Sequence, residues 1–148
     1  MENNIDDCKY VYTHELGNLS LNRDKSKELS ILHVNIRSIF KNFSALKVLL
    51  SKFRRAPELI CLSETNIVLK DEKMLGKMIH DGGKDDQFIP SIDGYNFIRN
   101  DCQTTKGGSG IFVKSTLDYT MHNDLLLNVN NCENVWVEIK LKHSYFCL

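Results

Sequence analysis

This 148-residue chain lacks the cysteine spacing of a zinc site or of a disulfide framework. The five cysteines are odd in number and include no Cys-x-x-Cys pair. We therefore expect a reducing, intracellular setting, either the nucleus or the cytoplasm. Cys61 lies inside a short apolar run, where we expect it to act as a small buried hydrophobic residue.

Long apolar runs and an excess of one charge are also missing. No run approaches the length of a membrane span, and the first residues lack the regions of a signal peptide, so no membrane association is expected. The 19 basic and 19 acidic residues cancel, which differs from the basic excess of a general nucleic-acid coat. A protein that approaches nucleic acid through a metal ion does not need that excess, because the ion supplies local positive charge.

Two short apolar runs, at 29–34 and 59–62, bracket an amphipathic segment. The first run is too short for a helix and is apolar on both faces, which indicates a strand covered on both sides. The second run predicts another strand. The segment between them predicts a helix of about three turns that is capped by Asn42 or Ser44 and stopped before Pro57. Its apolar stripe consists of Phe43, Leu46, Leu49, Leu50 and Phe53.

A polar residue able to offer an oxygen ligand follows each of these two runs. Asn35 comes directly after the first, and Glu64 lies just past the second. A strand, helix and strand in succession imply parallel strands joined by a crossover, whose C-terminal tips share one edge of the sheet. Asn35 and Glu64 are therefore expected side by side, at the edge where ligands bind in open α/β sheets.

Five segments of the chain carry a family resemblance. HVNIRS, ELICLSET, IDGYNFIRND, GGSGIFVK and NVWVEIKL occur in this order. They resemble the endonuclease/exonuclease/phosphatase superfamily, which has the DNase I-like fold, and above all the apurinic-type endonuclease domain of non-LTR (LINE-type) retrotransposons. The resemblance spans roughly 29–148 and implies an α+β fold of the α/β sandwich type. Residues 1–28 are expected to be a flexible leader.

The resemblance implies a divalent metal site. The matching glutamate and asparagine of the family bind Mg²⁺ (or Mn²⁺), so Glu64 would be the carboxylate ligand. Asn35 would be a carbonyl ligand or a group that orients water. The chemistry is consistent, since Mg²⁺ prefers oxygen ligands and keeps several waters. The alternative is an asparagine that closes a turn and a glutamate that caps a helix.

DNA is the partner that the resemblance implies, and three basic residues are candidates for contacting its phosphates. Arg37 stands where some repair nucleases of the superfamily carry an acidic residue, and a cation there is able to contact a phosphate. Arg99 and Lys106 lie near the turn that precedes the GGSG segment. For all three the alternative is a solvated surface position.

Two motifs of the family are not found in this sequence, the Gly-Asp-Phe-Asn motif and the Ser-Asp-His motif. The resemblance therefore covers the first half of the family's domain, which corresponds to half of a four-layer fold with one mixed sheet and helices on one face. We expect little phosphodiester hydrolysis from the chain alone, and self-association through an uncovered apolar sheet face. Two alternatives stay open: a non-catalytic remnant that acts as a protein-interaction module, and a fragment of a phosphatase branch of the superfamily.

The remaining chain predicts further elements around a loop. A helix is predicted near 71–79, followed by a solvated loop at 80–86. Gly107 and Gly108 indicate close backbone packing at the start of a strand rather than a phosphate-binding loop. Trp136 is expected to pack on a sheet face, with base stacking as the alternative. Strands are predicted at 95–98, 111–113, 117–127, 135–141 and 145–148.

Overall fold

The computed structural model describes residues 12–18, 29–68, 90–102, 106–125, 133–141 and 144–148. The helix predicted near 71–79 and the loop at 80–86 lie outside these ranges. The regular elements are β1 (Ile31–Asn35), α1 (Ile39–Ser51), β2 (Leu59–Ser63), β3 (Tyr95–Asn100), β4 (Ser109–Lys114), β5 (Asp118–Met121), β6 (Val137–Leu141) and β7 (Ser144–Cys147).

Four strands form a mixed sheet in the order β1-β2-β4-β3. The β1–β2 pair is parallel, as the strand, helix and strand pattern predicts, and the two other pairs are antiparallel. Its register runs from Ile31 opposite Leu59 to Asn35 opposite Ser63. The C-terminal ends of β1 and β2 therefore meet at one edge of the sheet.

Helix α1 packs on one face of this sheet around Phe112. The Phe112 side chain is fully buried and stacks on Phe97, with a distance of 4.2 Å between ring centroids. Phe43 from α1 also stacks on Phe112, with 6.4 Å between ring centroids. Ile39 and Leu46 complete the buried side of the helix. The apolar stripe read from the sequence therefore faces the sheet, and the predicted class of a mixed sheet with a helix on one face is confirmed.

The helix begins three residues before Asn42, so the predicted cap at Asn42 or Ser44 is wrong. Its N-cap is Ser38, whose side chain makes no capping hydrogen bond. The helix starts earlier because of a tertiary contact. The first helical amide, Ile39 N, donates to Thr65 O in the loop after β2 at 2.9 Å. Asn42 instead donates from its side chain to the carbonyl of Ile36, at 2.8 Å.

A second sheet covers the opposite face of the first, so the expectation of a single sheet with a bare inner face is wrong. Its strands are ordered β5-β6-β7. Val137 and Ile139 of β6 are buried against Leu59 and Val113. The short strands after residue 117 pair with one another instead of extending the first sheet. Self-association of the chain stays a prediction.

Strand β1 is less covered than its composition suggests. Leu32 and Val34 pack on the α1 side, whereas Ile31 on the opposite face is 41% exposed and His33 is exposed. The strand lies at the edge of its sheet. The expectation that both faces of this run are covered therefore holds for one face.

A short part of the expected leader is described, at residues 12–18. It contains a 3₁₀ helix, Leu16–Asn18. A Cβ added at Gly17 would lie 3.5 Å from the carbonyl oxygen of Lys52, so this turn lies beside the C-terminal end of α1. The domain boundary at residue 28 stays a prediction. No helix in the described ranges is long and apolar enough to cross a membrane.

Glu58 sets the register of the parallel pair from the end opposite Asn35. Its carboxylate accepts from the backbone N of Ser30 at 3.1 Å and from the Ser30 hydroxyl, and it pairs with Arg55 at 2.7 Å. Burial raises the pKa of Glu58, but the two Ser30 hydrogen bonds and the charges of Arg55 and Lys114 outweigh burial, so its pKa lies below the ordinary 4.5. These bonds join the residue before β1 to the residue before β2.

Replacing Glu58 with glutamine is expected to destabilise the fold at pH 7 by about 1–2 kcal/mol, because charge-assisted hydrogen bonds in a buried setting are lost. A carboxyl whose pKa is lowered by folding stabilises the fold above its unfolded pKa, and that stabilisation disappears as pH falls through the folded pKa. Urea unfolding at stepped pH should therefore show the gap between wild type and E58Q narrowing as pH falls through the lowered pKa of Glu58.

A matched control for this change is D118N, because Asp118 forms an exposed ion pair with Lys140 at 3.6 Å. Exposed pairs contribute about 0–1 kcal/mol, so this variant should stay close to wild type at every pH. A constant gap between wild type and E58Q down to pH 3 would show that the Glu58 charge is not what joins the two strands.

Candidate metal site

Asn35 and Glu64 meet at the edge where β1 and β2 end. The side-chain Nδ2 of Asn35 donates to Glu64 Oε1 at 2.9 Å, although the two residues are 29 positions apart. Both residues are exposed. The structure therefore brings together the two candidate metal residues that the sequence places at the ends of neighbouring parallel strands, and it leaves them open to solvent.

The amide of Asn35 has a defined orientation. Its Oδ1 accepts from the backbone N of Arg37 at 3.2 Å, so its Nδ2 faces Glu64. The opposite orientation would set two acceptor oxygens against each other. The expected roles of Asn35 as a carbonyl ligand or a group that orients water stay predictions. The geometry shows a different contact, in which the Asn35 amide holds the Glu64 carboxylate.

The two loops at this edge have an unusual backbone. Among the described residues, the non-glycine positions with positive φ are Arg37 (46°), Ser38 (85°), Glu64 (54°) and Asn66 (53°). Two follow β1 and two follow β2. Left-handed backbone is unfavourable for residues such as glutamate and tends to cluster where surrounding structure over-determines a functional site. The strain in this part of the chain is concentrated around Asn35 and Glu64.

Gly107 and Gly108 support the loop that carries Glu64. The backbone N of Thr65 donates to Gly108 O at 3.1 Å, and the backbone N of Asn66 donates to Gly107 O at 2.8 Å. A Cβ added at Gly108 would lie 2.5 Å from Thr65 Oγ1. The close backbone packing predicted for this glycine pair is confirmed, and its partner is the Glu64 loop.

The three basic residues proposed to contact phosphate have different surroundings. Arg37 is exposed on the loop directly after Asn35, and Lys106 is exposed immediately before Gly107. Arg99 lies near the same edge, but its Nε pairs with Asp101 Oδ1 at 3.3 Å. The charge of Arg99 is therefore partly neutralised within the protein. Arg37 and Lys106 are exposed near the candidate site.

Two acidic residues near this edge were missed by the sequence reasoning. Burial raises the pKa of Asp101 and the neighbouring Arg99 lowers it, with a net rise. Within the described part of the chain, Asp101 Oδ1 has the ion pair with Arg99 but no hydrogen bond. The carboxylate of Glu133 lies over Gly107, where an added Cβ would be 2.8 Å from Oε2. Neither residue is part of a recognisable spacing, so the sequence carries no signal for them beyond proximity to strand ends.

The oxygen atoms at this edge fit a magnesium or manganese ion held mainly by water. Within the described ranges, no group of three or more His, Cys, Asp or Glu residues is arranged to hold a metal. Mg²⁺ is commonly bound by one or two carboxylates together with waters and substrate phosphates, so a single exposed carboxylate in a fixed orientation suits it. Zn²⁺, which takes several nitrogen or sulfur ligands in a closed site, does not fit this set.

The mixed sheet, with a helix on one face and a second sheet on the other, is similar to the DNase I-like nuclease folds. The AP endonuclease LMAP from Leishmania major aligns with a TM-score of 0.51 and 18% identity, over 82% of this chain and 38% of that chain. This chain therefore spans well under half the length of that protein. At this identity the likeness establishes the fold alone.

Two Neisseria structures align less well. The 3'-5' exonuclease NExo from Neisseria meningitidis has a TM-score of 0.46 and 15% identity, over 80% of this chain and 40% of that chain. The 3' phosphatase NExo from Neisseria bound to product DNA hairpin has a TM-score of 0.45 and 15% identity, over 81% and 40%. No protein-family model matches the chain, and no curated protein matches it.

Proposed function

We propose that this chain forms the metal-binding edge of a DNase I-like phosphodiesterase domain that acts on DNA. The observation that carries the proposal is the hydrogen bond of 2.9 Å from Asn35 to Glu64 at the shared ends of β1 and β2. The motif resemblance to retrotransposon-type endonucleases implies a divalent metal site at this asparagine and glutamate. The fold likeness to an AP endonuclease supports the same reading.

Glu64 is the residue proposed to hold the divalent ion, and Asn35 is proposed to orient its carboxylate. A bound Mg²⁺ or Mn²⁺ would act as a Lewis acid and neutralise negative charge on a DNA phosphate. Fixing the carboxylate by a neighbouring amide matters, because groups that orient a metal ligand typically change metal affinity about 10–100-fold. The loop bonds of Glu64 and Thr65 hold the backbone beneath it.

Arg37 and Lys106 are proposed to bind the DNA backbone beside the ion. Both are exposed at the same edge as Glu64. Phosphate contacts by basic residues set the orientation of a duplex without reading its sequence. The retrotransposon-type assignment rests on the order of the five motifs, and we propose it for the domain to which this chain contributes.

Hydrolysis also needs a group that deprotonates the attacking water. In the resembling family the Gly-Asp-Phe-Asn and Ser-Asp-His motifs supply this chemistry, and neither motif occurs in this sequence. We therefore propose that the chain contributes ion and phosphate binding, with little cleavage of its own. The test of the proposal accordingly measures binding.

Replacing Glu64 with glutamine is expected to weaken Mn²⁺ binding by at least about tenfold, because an uncharged amide oxygen replaces the carboxylate ligand. The measurement is an electron paramagnetic resonance titration of free Mn²⁺ against the 148-residue chain. The control is D118N, which removes an exposed carboxylate on the second sheet and should leave the affinity unchanged. Equal affinity for wild type and E64Q would remove the metal role of Glu64.

The proposed DNA binding is tested with the same two proteins, wild type and E64Q. Fluorescence anisotropy with a labelled duplex should show tighter binding when Mn²⁺ is present, and E64Q should lose that difference. Binding that does not respond to Mn²⁺ in wild type would argue against an ion-assisted phosphate site. Binding of Mn²⁺ without any DNA affinity would support the proposed metal site and contradict the proposal that the chain binds DNA.

A further inference from the structure

Asn66 makes two hydrogen bonds with one residue of the glycine pair. Its backbone N donates to Gly107 O at 2.8 Å, and its side-chain Oδ1 accepts from Gly107 N at 3.0 Å. We refer to these two bonds as the Asn66–Gly107 pair. The loop after β2 is therefore joined to the segment before β4 by one backbone and one side-chain hydrogen bond of Asn66.

The conformation at Asn66 matches its residue type, whereas the conformation at Glu64 does not. Asparagine is several-fold enriched in left-handed backbone, and Asn66 has φ 53°. Glutamate has no such preference, yet Glu64 has φ 54°. Something beyond residue 64 itself must therefore hold the Glu64 backbone in this region.

The bonds that hold Glu64 come from both sides of it. Ser38 N donates to the carbonyl of Glu64 at 2.8 Å, and the amide of Thr65 donates to Gly108 O at 3.1 Å. The Asn66–Gly107 pair is the last of these restraints and the one that depends on a side chain. With it in place, the Glu64 side chain leaves the backbone in the direction that meets Nδ2 of Asn35.

We propose that Asn66 is a positioning residue, which fixes the left-handed loop through the Asn66–Gly107 pair and thereby aims the Glu64 carboxylate at a divalent ion. This inference rests on the proposed function of Glu64. It adds a residue that touches neither the ion nor the phosphate and acts through Glu64. Residue 66 needs both a left-handed backbone and a side-chain acceptor.

Three replacements separate those two requirements. N66A removes the acceptor and disfavours φ 53°, N66G removes the acceptor and accepts that φ, and N66D keeps both. N66A is expected to weaken Mn²⁺ binding about tenfold, as loss of an orienting group does. N66G should fall between N66A and wild type. N96A is the matched control, because Asn96 is exposed in β3, and it should bind Mn²⁺ as wild type does.

A readout without metal separates geometry from the added charge of N66D. In metal-free protein, the ¹H–¹⁵N signals of the Asn35 side-chain amide report its bond to Glu64. N66A should shift these signals towards free-amide positions, whereas N66D should leave them near the wild-type positions. Thermal melts restrict the comparison to temperatures at which every variant is folded.

The outcomes distinguish failure of this inference from failure of the proposed function. Wild-type Mn²⁺ binding that is unaffected by N66A, with unchanged Asn35 signals, would overturn the positioning role of Asn66 and leave Glu64 as a ligand. Absence of Mn²⁺ binding by wild type would overturn the proposed function, while the metal-free Asn35 signals would still test whether Asn66 positions Glu64. Equal losses in N66A and N66D would also overturn the role of the acceptor.

Discussion

Replacing Gly108 with alanine should destabilise the fold by about 2–4 kcal/mol and should displace the loop that carries Glu64. Gly108 has φ 79°, where an L-residue is strained, and its added Cβ would lie 2.5 Å from Thr65 Oγ1. Thr65 is fully buried and has little room to move. Urea unfolding followed by tryptophan fluorescence measures the loss of stability.

Gly94 offers a matched control for this prediction. It has φ 78°, almost the value at Gly108, but a Cβ added there would have nothing within 4 Å. G94A should therefore cost only the backbone term, about 1–2 kcal/mol. The double variant G108A/T65A removes the clashing hydroxyl and should recover part of the loss. Equal destabilisation by G94A and G108A would contradict the close contact between Gly108 and Thr65.

Replacing Phe112 with alanine should destabilise the fold by about 3–5 kcal/mol. Phe112 is fully buried and stacks on the Phe97 ring at 4.2 Å and on the Phe43 ring at 6.4 Å, so its removal leaves a cavity where α1 meets the sheet. This loss is a large fraction of the stability of a domain of this size. Chemical denaturation of the purified variant provides the measurement.

The matched control for Phe112 is F40A, because Phe40 lies on α1 but is 50% exposed. Its replacement should cost less than about 1.5 kcal/mol, since about half of the transfer term is already lost to solvent. A loss at Phe112 no larger than the loss at Phe40 would mean that the aromatic cluster is not the centre of the α1 side of the core.

The local pattern around β1 and β2 was sufficient to predict where Asn35 and Glu64 meet. Two short apolar runs separated by a helical stripe leave a parallel crossover as the simple arrangement, and parallel strands end at the same edge. The observed register, with Asn35 opposite Ser63, follows from that topology. The spacing of apolar residues was therefore enough to predict that Asn35 and Glu64, 29 positions apart, lie side by side.

The start of α1 and the role of Asn66 were not predictable from local sequence. Ser38 has φ 85° and makes no side-chain cap, while the first helical amide is satisfied by Thr65 from a distant loop. The conformation of Asn66 depends on its hydrogen bonds to Gly107, 41 positions away. Both features depend on which loops are neighbours in space, and a capping preference read along the chain does not contain that information.

The covering sheet was missed for a related reason. The alternation at 135–141 correctly indicated a strand, and Val137 and Ile139 are its buried residues. Period two identifies the buried face of a strand but not the sheet to which it belongs. Because β6 pairs with β5 and β7, its buried face packs against the first sheet. Local sequence patterns do not show which strands pair with one another.

The most direct test of the central claim is site-resolved paramagnetic broadening of ¹⁵N-labelled protein by substoichiometric Mn²⁺. The account predicts that the amide signals of 35–37, 64–66 and 107–108 broaden first, and that E64Q abolishes this selectivity while D118N retains it. Broadening centred on another part of the chain, or broadening around residue 64 that survives E64Q, would contradict the claim that Asn35 and Glu64 form a divalent metal site.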